Sequence, residues 1–309
     1  MVPSVFAVLA AALLFGTTGT AQALGPDGTT PLSVGVMRMV IGGTGLAILA
    51  FTLAARHARR RPRGAPSPRL SPRAGALMLL TGACLALYQP LFFLGTERNG
   101  VAVGTVIALG SAPILAGLLE WALTRRLPST TWIMATALAT GGVVLLGLGG
   151  EAGSVGTDIA GLAGSVGAGA CFAVIANAQR RLLDDGWDPF TVVGAMGATS
   201  AAIFAVFLPF VDLSWLAQPG GWPMALWLGV ATISVAYVLF TWGLNGLTAA
   251  TAATLTLGEP LTAGVLGITV LGERLSVLAI LGLVVLAAGL ALLAWGSRKR
   301  DPGPYPVEA

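Results

Sequence analysis

Long windows without a single charge recur along the 309 residues, separated by short breaks rich in charge, proline or glycine. A helix rises about 1.5 Å per residue, so roughly 20 apolar residues are needed to cross the hydrocarbon core of a bilayer. Cutting the chain at its breaks predicts ten transmembrane helices. In the first half they run from Val5 to Ala23, Pro31 to Ala54, Ala74 to Gly95, Gly100 to Leu123 and Trp132 to Gly149. In the second half they run from Ile159 to Asn177, Pro189 to Val211, Trp222 to Leu244, Thr248 to Leu271 and Leu275 to Trp295. The fold class is therefore all-α membrane.

The polar breaks orient this bundle, because short cytoplasmic loops carry the Lys and Arg excess. With both termini cytoplasmic, fourteen of the seventeen basic residues fall inside: Arg56, Arg59, Arg60, Arg61, Arg63, Arg69 and Arg73, then Arg125 and Arg126, Arg180 and Arg181, and Arg298, Lys299 and Arg300. Arg98 and Arg274 fall outside, and Arg38 lies within a span. The acidic residues Asp27, Glu97, Glu151, Asp158, Asp212 and Glu273 are external. The cluster from Arg59 to Arg73 reads as a solvated topogenic loop, with contact to anionic membrane lipid as the alternative. His57, the only histidine, sits in that loop with no second ligand for a metal.

The two halves match each other at a fixed order of positions. Phe15, Ala21 and Gln22 correspond to Phe172, Ala178 and Gln179, and Pro31 to Pro189. Asn99-Gly100 corresponds to Asn245-Gly246, and Pro113 to Pro260. Residues 1–150 and 151–297 are thus two five-helix repeats, followed by a cytoplasmic tail, 298–309. An odd number of crossings per repeat inverts the second copy relative to the first, an arrangement by which secondary transporters expose one midplane site alternately to each side.

Composition agrees: 55% of residues are hydrophobic and 10% charged, mean hydropathy is +0.84, and a soluble chain would carry roughly 25% charge. The pI of 9.7 does not indicate a nucleic-acid partner, because the positive charge sits in short loops. Cys84 and Cys171 both fall in apolar segments and read as small hydrophobes, with neither a disulfide nor a metal implied. Ala21-Gln22-Ala23 resembles a signal-peptide cleavage site, but Met1 to Ser4 carries no Lys or Arg, so the segment is expected to stay as the first helix.

Ionisable groups inside a bilayer cost roughly 2.5–3.5 kcal/mol on insertion scales, so each needs a reason. Arg38 lies seven residues past Pro31, about 10 Å into the membrane. Its repeat mate is Met196, so the scaffold itself requires no cation there. Glu259 has Ala112 as its mate and precedes Pro260, which cannot donate a backbone amide. Arg38 can hold an anion, pair internally or snorkel; Glu259 can titrate, pair with Arg38, accept a substrate amine, or bond to Thr256 or Tyr237 as a structural carboxyl. Glu120, near a helix end, is expected to reach water or Arg125. Thr17, Thr18, Gln22, Gln89, Asn177, Thr232, Tyr237 and Thr241 complete a candidate polar cavity, each with an interhelical hydrogen bond as its alternative role. Pro113 and Pro260 are candidate helix breaks.

Leu257-Gly258-Glu259-Pro260-Leu261, followed by Leu271-Gly272-Glu273-Arg274-Leu275, resembles the ninth helix and following turn of the drug/metabolite transporter superfamily, specifically its EamA-type ten-helix transporters. The region after Pro31 that holds Arg38, and Tyr88 through Pro113, are similar to that family's second to fourth helices. Thr124-Arg125-Arg126-Leu127 departs from the turn kept at Leu271 to Glu273. The resemblance implies export of metabolites, amino acids or drugs. Small four-helix relatives carry a cation-binding Glu in the first helix, and this chain has none there.

The expectation is a multi-pass inner (plasma) membrane protein that works as a secondary active transporter, an exporter of a small molecule by proton coupling or exchange. No Walker-type motif points to ATP, and no cofactor is implied. The alternatives are a non-transporting receptor or channel and, with only Arg38 and Glu259 at depth, an intramembrane enzyme.

Overall fold

A computed structural model describes residues 2–60, 68–149 and 158–297, and every extended element in them is helical. The first half comprises α1 (Val2–Gly16), α2 (Thr18–Ala23), α3 (Pro31–Arg60), α4 (Pro72–Asn99), α5 (Val101–Thr124) and α6 (Thr130–Leu148). The second comprises α7 (Ile159–Asp184), α8 (Pro189–Ala205), α9 (Gly221–Leu226), a π-helical segment (Trp227–Val235), α10 (Ala236–Leu244), α11 (Ala249–Leu255), α12 (Gly258–Thr269) and α13 (Val277–Ser297). Among the described residues nine helical stretches are long and apolar enough to cross a membrane. The tenth crossing is the α11–α12 pair, one span interrupted at Thr256–Leu257.

Short polar side chains start these helices. Ser71, Ser129, Asp158, Asp188 and Thr248 each accept a hydrogen bond from the amide three residues on, which satisfies a first-turn donor that has no intrahelical partner. Pro31 and Pro189 open α3 and α8 at matching positions of the two halves.

Several expected boundaries move. The second helix continues past Ala54 to Arg60, so Arg56, His57, Arg59 and Arg60 ride on a helical extension instead of a loop. The sixth runs past Asn177 to Asp184, which takes Arg180 and Arg181 into the helix. On α3 the helix keeps its hydrogen-bond ladder while exposed Arg56, Arg59 and Arg60 reach toward water, whereas on α7 the extension is held by Arg180, which is buried. The first crossing is kinked where α1 gives way to α2, with the Thr17 amide and hydroxyl both donating to the Leu14 carbonyl. Arg61, Arg63, Glu151, the 150/151 repeat junction and the tail 298–309 lie outside the described residues.

The broadest interfaces are α4 with α7, α6 with α13, α3 with α8, and α5 with α7. Exchanging the two halves reproduces this pattern. The α4–α7 interface maps onto α10 with α1, the α5–α7 interface onto α11 and α12 with α1, and α4–α8 onto the π segment with α3. The α3–α8 and α6–α13 interfaces map onto themselves, and each closes on a reciprocal pair of glycines. A Cβ at Gly43 would stand 2.7 Å from the Gly197 carbonyl, and one at Gly197 2.8 Å from that of Gly43. Gly142 and Gly282 repeat the arrangement, each Cβ falling 2.7 Å from the other's carbonyl. Hydrocarbon gives helices no hydrophobic reason to associate, so backbone contact at small residues supplies the attraction.

Large apolar side chains such as Phe6, Leu13 and Ile48 point outward, whereas Ser165, Gln179, Ser200, Thr232, Thr241 and Thr254 are fully buried. The bundle is apolar toward the lipid and polar within, with the hydroxyls of Thr140 and Ser165 the ones that find no hydrogen-bond partner among the described residues. Gly197→Val and Gly282→Val should each lower stability by about 1–3 kcal/mol through overpacking, read as a fall in thermal midpoint of the detergent-solubilised protein, whereas Gly141→Val, where an added Cβ meets nothing within 4 Å, should leave it unchanged.

Candidate functional site

Arg38 lies on α3 two turns after Pro31 and is half-buried. One guanidinium nitrogen donates to the Thr18 hydroxyl over a long 3.5 Å, and its buried Nε has no partner among the described residues. The groups that act on it electrostatically are Glu259 from α12, Tyr237 from α10 and Tyr88 from α4. Tyr88 and Tyr237 also lie in the electrostatic field of Glu259. Four helices from both halves thus bring one cation, one carboxyl and two phenols to a common centre.

The cation and the carboxyl do not touch. Among the described residues no ion pair within 4 Å involves either group. Thr256, offered above as a partner for Glu259, instead donates to the Ala253 carbonyl at 2.7 Å. Glu259 follows the break directly. The Leu257 and Glu259 amides turn back to the Thr254 and Thr256 carbonyls, and Pro260 has no amide to donate. The break is packed against α1, since a Cβ at Gly16 would run into Thr262 and the Glu259 carbonyl. Phe15, just before Gly16, sets its ring edge-on to Tyr237 at 5.2 Å.

The remaining predicted residues divide. Thr17 is held by the site's neighbours, its hydroxyl receiving the Trp227 indole N–H at 2.9 Å. Gln22 is exposed on α2, none of whose residues is buried. Gln89 is buried but lines an apolar cavity of about 430 Å³ between α3, α4 and α8, beside Gly35, one turn from Arg38. Asn177 clamps α7 to α5 by donating to the Ala116 carbonyl, besides Ala173 on its own helix. Thr232 donates to the Leu228 carbonyl within the π segment, and Thr241 to the side-chain amide oxygen of Gln179. Pro113 lies inside an uninterrupted α5, so only Pro260 sits at a break.

The second half closes the position that the first half leaves open. Met196 and Gln179, the mates of Arg38 and Gln22, are both fully buried, with the Gln179 amide donating to the Met196 sulfur at 3.2 Å.

Three polar groups have partners that the chain order does not suggest. Glu120 turns away from Arg125 and accepts the Ala250 amide at 2.7 Å, at the first turn of α11. His57 meets Asp188, the α8 cap, at 2.5 Å. Arg180, expected in a solvated loop, is buried and bonded to the turn between α10 and α11. Tyr88 is the site residue missed as a ligand candidate; a phenol in the middle of an apolar helix was the available signal.

The chain is an all-helical, ten-crossing membrane protein with a cation and a carboxyl inside the bundle that form no ion pair among the described residues. The model of the EamA-like transporter family matches residues 2–148 and again 159–295, and the chain belongs to that family. It is 38% identical over 293 residues to the uncharacterized transporter YwfM of Bacillus subtilis (strain 168), covering 95% of this chain and 94% of that protein. It is 30% identical over 294 residues to the threonine/homoserine exporter RhtA of Escherichia coli (strain K12), covering 93% and 90%. A crystal structure of another protein shares the fold with a TM-score of 0.77, covering 96% of this chain and 98% of that one at 18% identity. The protein is a multi-pass membrane protein whose relatives are named as transporters.

Removing the acceptor at Glu120 leaves the Ala250 amide unpaired at a buried helix start, which costs about 1–3 kcal/mol. Glu120→Ala should therefore lower the thermal midpoint of the purified protein, while Glu120→Gln, which keeps a carbonyl oxygen there, should recover most of the loss.

Proposed function

We propose that this protein is a secondary active exporter of a small zwitterionic metabolite of the amino-acid class. The observation that carries the reading is the separated pair: Arg38 and Glu259 act on one another across the bundle without direct contact. A ligand carrying a carboxylate and an ammonium completes both ends at once, with the guanidinium fork gripping the carboxylate and Glu259 accepting the ammonium. Desolvated, unpaired charges are costly, so filling this gap is favourable in a way that binding a neutral molecule is not. Tyr88 and Tyr237 supply hydroxyls beside the ligand, and Thr17, Thr18 and Gln22 line the approach along the kinked first crossing.

Coupling follows from the same residues. When no ligand is bound, Glu259 either takes a proton or awaits an exchanging substrate, so proton coupling and exchange both act through this carboxyl. Residues 1–150 and 151–297 act as two inverted repeats with both termini cytoplasmic. The contact pattern that survives exchange of the halves and the arginine-rich ends of α3 and α7 support that arrangement. RhtA, named for export of threonine and homoserine, supports the amino-acid class.

Counterflow of L-threonine in proteoliposomes tests the site. A charge-assisted hydrogen bond is worth about 1.5–3 kcal/mol, so Arg38→Gln and Glu259→Gln should each reduce kcat/KM by roughly 10- to 150-fold. Arg38→Lys should fall between Arg38→Gln and the parent. Transport by Arg38→Gln and Glu259→Gln at the parental rate would overturn both assignments.

A further inference from the structure

The turn between α10 and α11, residues 245–248, has both of its helix ends served from outside the hairpin. The last carbonyls of one helix and the first amides of the next have no intrahelical partners. Arg180 on α7 supplies the donors: its Nη1 bonds the carbonyls of Leu244, Asn245 and Leu247 at 2.9, 3.2 and 2.8 Å. Its Nε and Nη2 fork onto the Asp184 carboxylate at 3.2 and 2.7 Å. Glu120 on α5 supplies the acceptor, taking the Ala250 amide. Leu182, Leu244 and Ala249 around this cluster are fully buried.

The other end of the bundle differs. There α2 buries nothing, Gln22 is exposed, and Arg38 and Glu259 are half-buried. The Arg180 end is therefore the more tightly tied of the two ends. The tied hairpin bears directly on the site, since Tyr237 lies two turns before Leu244 on α10 and Glu259 follows α11 across the break.

We propose that Arg180, oriented by Asp184 and assisted by Glu120, is a latch that holds the α10–α11 hairpin shut over the arginine-rich end, and that its release gives the central site access to that side. These are positioning residues: none touches the ligand, and each acts by placing the hairpin that carries Tyr237 and leads into Glu259. The inference rests on the transporter reading but not on the identity of the substrate. A guanidinium is suited to the task because its fixed fork spans Asp184 and several carbonyls together, which a lysine ammonium cannot reproduce.

The test reads accessibility in the absence of any substrate, so its outcome is independent of the threonine flux. A reporter, Leu247→Cys, is placed in a background with Cys84→Ser and Cys171→Ser, and a second, Ala225→Cys, reports on a separate buried cluster on α9, at the opposite end of the crossing that runs down to Leu244. The protein in lipid nanodiscs is exposed to a membrane-impermeant maleimide. The Leu247→Cys reporter should label slowly with Arg180 intact, at least tenfold faster with Arg180→Gln, and at an intermediate rate with Arg180→Lys. Glu120→Ala should also accelerate it, and the Ala225→Cys reporter should stay unlabelled throughout. Unchanged labelling of the Leu247→Cys reporter in Arg180→Gln would overturn the latch. So would equal acceleration at both reporters, because Arg180 would then stabilise the whole fold and not one end of it.

Discussion

Hydrocarbon offers no hydrogen bonds, and that single constraint organises this molecule. Every polar group brought into the bundle has to find a protein partner or stay exposed to a polar space. Thr241 finds Gln179, Asn177 finds the Ala116 carbonyl, and Ser234 donates to the Gly42 carbonyl at 2.8 Å. The hydroxyls of Thr140 and Ser165 are exceptions among the described residues, and the ionisable exceptions lie at the centre: Arg38 keeps a buried nitrogen without a partner, and Glu259 sits at a break with no cation within 4 Å among the described residues. The rule that packs the rest of the bundle is left unmet at these two ionisable groups.

The duplicated scaffold makes that exception visible. The halves share their helix order, their opening prolines and their glycine-paired crossings, yet Met196 is buried against Gln179 where Arg38 stands half-open near Thr18. Symmetry accounts for the frame and its loss accounts for the site. Under the proposed function, one chain would hold one ligand between dissimilar faces.

Much of the frame was legible in the chain because apolar length, flanking charge and Pro or Gly breaks are local signals. The ten crossings, the matched Pro31 and Pro189, and the buried charges Arg38 and Glu259 all follow from short windows. What was not legible depends on distant neighbours. Asn177, Thr232 and Thr241 read alike in sequence as polar residues in apolar helices, and only packing shows that each is already satisfied by a backbone or amide oxygen. Arg180 and Arg181 look equivalent in a basic pair; the α10–α11 turn, more than sixty residues away, singles out Arg180. Pro113 and Pro260 are repeat mates, but α5 bridges its proline while the ninth crossing breaks before its own.

The reciprocal glycines bear on which parts can move as units. Where Gly43 meets Gly197 and Gly142 meets Gly282, backbone lies on backbone, and Leu46, Ser200 and Ala201 fill the space beside the first of these crossings. Such a contact resists separation, because many close atom pairs contribute to it. Each of the two pairs joins one half of the chain to the other. A rearrangement that kept both crossings intact would carry α3 with α8 and α6 with α13 as rigid pairs, and its movement would be confined to the interfaces between those pairs and the remaining helices.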